Sequence, residues 1–64
     1  MKVRIEIELG NDAMRTGYDV SWALEWLART LDDRVGDDEL AVRDGCPIHD
    51  PNGDTVGYLE VLEA

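Results

Sequence analysis

The chain has 64 residues and a mass of 7.2 kDa, enough for one small domain with a thin core. It is too short for a cofactor lobe, an interdomain cleft or stacked repeats. Fifteen acidic against six basic residues leave a formal net charge of −9, which opposes contact with a nucleic-acid backbone, while 44 % hydrophobic content is too high for a disordered, solvated chain.

Cys46 is the sole cysteine, so an internal disulfide is impossible and a stapled secreted miniprotein is excluded. From Met1 the sequence runs directly into alternating charged and aliphatic residues. It lacks the basic-then-apolar order of a signal peptide. No apolar stretch nears the roughly 18 residues of a membrane span. A cytoplasmic location without membrane contact is therefore expected.

Lys2 to Leu9 alternates strictly. Val3, Ile5, Ile7 and Leu9 fall on one face and Lys2, Arg4, Glu6 and Glu8 on the other, the pattern of a half-buried strand. Gly10, Asn11 and Asp12 end it, and residues 10 to 18 form a connection. From Val20 to Val35 the period becomes helical: Val20, Leu24, Leu27, Leu31 and Val35 share a narrow arc flanked by Ala23 and Ala28. Asp19 is the expected N-cap, with Thr16 three residues before it a weaker candidate. Gly36 is the expected stop.

An acidic loop, Asp37 to Glu39, follows, and Leu40 and Val42 are expected to add a short extended piece. The C-terminal third reads as a hairpin: Cys46 to His49, a turn through Asp50-Pro51-Asn52-Gly53-Asp54, then a strand from Thr55 to Leu62. Asn52 and Gly53 are expected to supply the positive φ of a tight turn. Val56, Leu59 and Val61 can share an inner face only if a bulge at Gly57 shifts the alternation by one. The order is thus β-α-β-β. Placing the third strand centrally (order 1-3-2) makes every pairing antiparallel, and the helix covers one face. The expected fold is a two-layer α+β domain over residues 1–64.

Trp22 and Trp26 project away from the aliphatic stripe, beside Arg29 and Asp33. Two readings stand. The four residues form a protein interface, since tryptophan is an enriched interface anchor, or Trp26 caps the sheet edge while Trp22 packs on the 10–18 loop against Met14 or Tyr18. The acidic set Asp32, Asp37, Asp38 and Glu39 suggests an alternative: an inhibitor that imitates nucleic acid in the basic site of a host DNA-binding protein. Arg34 and Arg43 interrupt it. Asp50-x-Asn52-x-Asp54 opens like a calcium loop, but Thr55 stands where that loop needs glycine and Val61 where it needs glutamate. His49 and Cys46 lie on opposite strand faces, with no oxyanion device beside either. No catalytic, cofactor or metal residue is assigned, and an enzyme is not expected.

The ending Pro47-Ile48-His49-Asp50-Pro51-Asn52-Gly53-Asp54-Thr55-Val56-Gly57-Tyr58-Leu59-Glu60-Val61, behind a first strand and a helix bearing Leu24 to Ala28, resembles small uncharacterised proteins of actinobacterial phages and related mobile elements. Their hairpins read P-I/V-R-D-x-N-G-N-x-V-G-x-W-x-V. This chain departs with His49 for arginine, Asp54 for asparagine and Leu59 where an aromatic is common. The resemblance implies a phage setting and no catalytic residues. The expected function is a small acidic protein-interaction module, a phage accessory protein acting on a host or phage protein through the Trp22 and Trp26 helix face or as a homodimer.

Overall fold

A computed structural model describes residues 1–63; Ala64, the end of the expected 1–64 domain, lies outside them. The elements run β1 (Lys2–Ile7), α1 (Gly17–Arg34), β2 (Gly45–His49) and β3 (Thr55–Leu62). The sheet order is β1-β3-β2 and both pairings are antiparallel. One helix on a three-stranded antiparallel sheet is the α+β arrangement expected from the sequence.

Local chemistry moves several boundaries. β1 ends at Ile7 rather than Leu9, although the Glu8 amide still donates to the Val56 carbonyl at 2.7 Å. The helix begins at Gly17, three residues before the periodic stripe. Thr16, not Asp19, is its N-cap: the Thr16 hydroxyl accepts from the Asp19 amide, and the Asp19 carboxylate accepts from the amides of Arg15 and Thr16. That reciprocal box satisfies more orphan donors than Asp19 could alone, which is why the helix starts a turn early. Arg34 is its last residue, and Gly36, at φ +55°, reverses the chain while its amide and that of Val35 converge on the Leu31 carbonyl.

The extended piece expected at Leu40 and Val42 is instead a turn. The Asp44 carboxylate accepts from the Ala41 amide at 2.8 Å, and Arg43 takes φ +79°. In the hairpin turn Gly53 alone has positive φ, at +87°; Asn52 does not. Asp50 replaces the second such residue. Its buried carboxylate accepts from the amides of Asn52 and Asp54 and from the Asn11 side chain, so side-chain bonds hold the turn closed.

The bulge is present. Ile48 pairs with Gly57 but His49 with Thr55, which leaves Val56 without an opposite number on β2. Val56, Leu59 and Val61 are consequently all buried. With Met14, Ala23, Leu27, Cys46 and Ile48 they form the core.

The helix rests principally on β2, and this position corrects the expected inner stripe and accords with the second reading of the tryptophans, in which they pack within the domain. Counting about 100° per residue from Leu27, the buried face runs through Ala23 and Leu27 toward Trp26, and is rotated away from Leu24. Trp22 and Trp26 are half-buried against the core instead of projecting off it, while Leu24, from the expected inner stripe, is exposed. The inner face of β1 is correspondingly uncovered at Val3 and Ile5.

Candidate functional site

A helix is about 10 Å across and strands lie about 4.8 Å apart, so one helix covers two strands. Here it covers β2 and β3. Val3 and Ile5 point to the helix side of the sheet, opposite Val61 and Leu59, yet remain 48 % and 45 % exposed, and Leu24 is 41 % exposed. Trp26 fixes this placement. Its ring meets that of His49 edge to face, centroids 5.0 Å apart at 84°, anchoring one helix flank at the last residue of β2. The opposite flank, carrying Leu24, therefore turns toward β1. Val3 and Ile5 on the inner face of β1, and Leu24 on the helix flank opposite Trp26, are the aliphatic side chains this seat leaves exposed.

The four residues singled out on the helix are partly gathered. Trp22, Trp26 and Arg29 border a shallow depression of about 210 Å³ together with Glu25; Asp33 lies exposed one turn further on. Trp26 is held at both ends, its carbonyl accepting from the Thr30 hydroxyl at 2.9 Å and its ring packed on His49. Such a side chain fastens the helix to the sheet. The acidic residues Asp32, Asp37, Asp38 and Glu39 are all exposed around the helix C-terminus, and none joins an ion pair among the described residues.

The outer sheet face is polar. Arg4 of β1 and Glu60 of β3, directly opposite one another, form an ion pair of 2.6 Å beside the exposed Tyr58. A hollow of about 500 Å³ there is bordered by Arg4, Glu6, Arg43, Pro47, Tyr58 and Glu60. Asp44 and Cys46 also line it, so three carboxylates (Glu6, Asp44 and Glu60) stand against two guanidinium groups (Arg4 and Arg43). Cys46 is buried in the core. The nearest polar partner of His49 is the Thr55 hydroxyl, at a loose 3.4 Å. These two side chains therefore occupy separate environments and do not form a thiol–imidazole couple. Asp50 spends its oxygens on the turn, which withdraws the first residue of the calcium-like sequence. Folding moves the carboxyl of Asp19. Amide hydrogen bonds from Arg15 and Thr16 hold its carboxyl below the ordinary value of 3.8, aided by the Thr16 hydroxyl and the Arg15 charge against a small opposing effect of burial.

Alternation alone marks Val3 and Ile5 as core, and it carries no information on how far one helix reaches across three strands. The sequence shows only that part of the sheet must stay uncovered, since a single helix of eighteen residues faces three strands; which strand is left open is not encoded locally. No helix is long and apolar enough to cross a membrane among the described residues. Comparison with protein-family models, with curated proteins and with solved structures finds no match.

Proposed function

We propose that the chain is a non-enzymatic, acidic protein-interaction module, a phage accessory protein working in the host cytoplasm, that docks through Val3, Ile5 and Leu24. The exposure of Val3 and Ile5 on the inner face of β1, together with that of Leu24 on the helix, carries the reading. Covering the half of each still in water is worth about 1 kcal/mol apiece, a sizeable amount for a domain whose whole stability is roughly 3–9 kcal/mol at this length. Association recovers that energy. The phage setting rests on the hairpin resemblance alone. The absence of an activated nucleophile rests on the burial of Cys46 and the aromatic packing of His49.

Immobilised chain exposed to a bacterial host lysate tests the docking surface. A protein retained by the wild type and by Tyr58→Ser on the opposite face, but lost from Val3→Thr/Ile5→Thr, is the expected result. Equal retention by all three sinks the proposal. The exposed carboxylates of Asp32, Asp37, Asp38 and Glu39 favour a second reading, the nucleic-acid mimic: retention indifferent to Val3→Thr/Ile5→Thr but lost steeply with added salt would select it.

A further inference from the structure

The sheet has two free edges, and only one is protected. On β2, Pro47 sits opposite Tyr58 between residues whose amide groups face β3, so the missing proline N–H falls on the open side and blunts that edge. β1 has no proline and no bulge. The direction of its hydrogen-bonding groups follows from the ladder. Glu8 donates to Val56 on β3, and Val61 both donates to Asp44 and accepts from Arg43 on the β2 side. Even-numbered residues of β1 therefore bond β3, and Val3, Ile5 and Ile7 turn their amides and carbonyls to the open edge.

We infer that two copies of the chain join by their β1 edges, antiparallel, with Ile5 of one copy opposite Ile5 of the other. Hydrogen bonding and charge select this register together. Antiparallel pairing about a two-fold axis places residue i opposite a residue whose number completes a fixed sum, and outward-facing groups must meet outward-facing groups. Centring on Ile5 brings Val3 opposite Ile7 and Ile5 opposite Ile5, all outward-facing. On the other sheet face it sets Lys2 against Glu8 and Arg4 against Glu6 of the second copy, so every cross-strand pair is of opposite sign. Centring on Arg4 instead opposes two arginines, and centring on Glu6 opposes two glutamates. Continued past the strand ends, the same register sets Met1 against Leu9, both exposed apolar residues in the single chain. The charged residues of the segment cancel, Lys2 and Arg4 against Glu6 and Glu8. β1 is thus a neutral edge by which two chains of charge −9 can approach.

The product is one six-stranded sheet with both helices on the same face. Its seam is small beside the roughly 800 Å² per partner of a standard interface, so association is expected to be reversible and concentration-dependent. The inner faces of Val3 and Ile5 stay open above the seam. This inference deepens the interaction reading by naming a second copy as a partner, and it is separable from docking of another protein on that face.

Sedimentation equilibrium of the wild type, of Lys2→Glu/Arg4→Glu, of Glu6→Lys/Glu8→Lys and of an equimolar mixture of the two variants tests it. The wild type is expected to reach twice the 7.2 kDa of one chain, each variant alone to remain single, and the mixture to recover the doubled mass. A wild type that stays single across the concentration range, variants that pair with themselves as it does, or a mixture that stays single would each overturn the inference. Circular dichroism establishes that the variants fold. If one does not, Ile5→Cys reads the same register without altering charge. Facing Cα atoms about 5.5 Å apart are within disulfide reach, so Ile5→Cys should oxidise to a covalent dimer and Val3→Cys should not. Equal cross-linking of the two, or none by Ile5→Cys, refutes the register. A single-chain wild type that still captures a host protein through Val3 and Ile5 removes only the self-pairing; a dimer that captures nothing removes only the docking.

Discussion

Gly57→Ala should release β1 from the sheet. A Cβ at Gly57 would lie 2.9 Å from both the Glu6 carbonyl carbon and the Ile7 Cα, and inside the surface of the Glu6 carbonyl oxygen. The obstructing atoms are backbone, so no rotamer change relieves them. Restoring ordinary contact of at least 3.4 Å to the carbons alone parts the strands by about 0.5 Å, and the oxygen demands more. A parting of about 0.5 Å stretches the Glu8–Val56 bond from 2.7 Å to about 3.2 Å, the outer limit of a good hydrogen bond, and clearing the oxygen carries it past that limit and weakens the ladder beside it. With about 1 kcal/mol per bond and some two or three bonds affected, the cost is about 3 kcal/mol. A chain of this size has roughly 3–9 kcal/mol in total, so the variant should lose between about a third and all of its stability. Urea titration followed by tryptophan fluorescence and circular dichroism gives the difference. Gly17→Ala is the control, because a Cβ there meets nothing within 4 Å, and it should be neutral or stabilising by a few tenths of a kcal/mol. A Gly57→Ala midpoint equal to that of Gly17→Ala would refute the close-approach argument.

Trp26→Ala should cost about 3 kcal/mol in the same titration, since it removes the ring packed on His49 and the core; a loss below about 0.5 kcal/mol would mean the ring is not the fastening described. Arg43→Gly should raise stability by about 1 kcal/mol by relieving the left-handed strain at φ +79°, and an unchanged or lower midpoint would contradict that strain. The capping carboxylate of Asp19 has its pKa lowered by folding, so its contribution is full above the ordinary carboxylate range and is lost as pH falls through the depressed value. Stability measured against pH should accordingly fall on acidification less steeply in Asp19→Asn than in the wild type.

Much of the fold was legible because the determining signals are local. The alternation of Lys2 to Ile7 and the crowding of turn residues between His49 and Thr55 fixed two strands and a reversal. The bulge was legible because Val56, Leu59 and Val61 cannot share a face without it. The N-cap was a competition between two local solutions, and the one using both Thr16 and Asp19 wins by satisfying amides in both directions. What could not be read was the lateral seat of the helix. It depends on Trp26 meeting His49 across 23 residues of sequence, a tertiary contact that periodicity does not encode. The seat decides the candidate site, since rotating the helix toward Trp26 buries the tryptophan flank and exposes Leu24 and the inner side of β1.

Salt separates self-pairing from mimicry by the sign of its effect. Because the β1 segment is neutral, the whole excess of −9 lies after it, and two copies repel each other over long range while attracting at the seam. The screening length is about 30 Å at 0.01 M salt and about 8 Å at 0.15 M. Raising salt over that interval removes the long-range repulsion but reaches less effectively into cross-strand pairs whose Cβ atoms are about 5 Å apart. Self-association should therefore strengthen from 0.01 M to 0.15 M and level off or decline only beyond it. A nucleic-acid mimic on a basic partner has attraction at both ranges, so its binding weakens at every step. Dimerisation that falls steadily from the lowest salt would show that attraction between charges outweighs the long-range repulsion of the −9 excess, against the balance argued here.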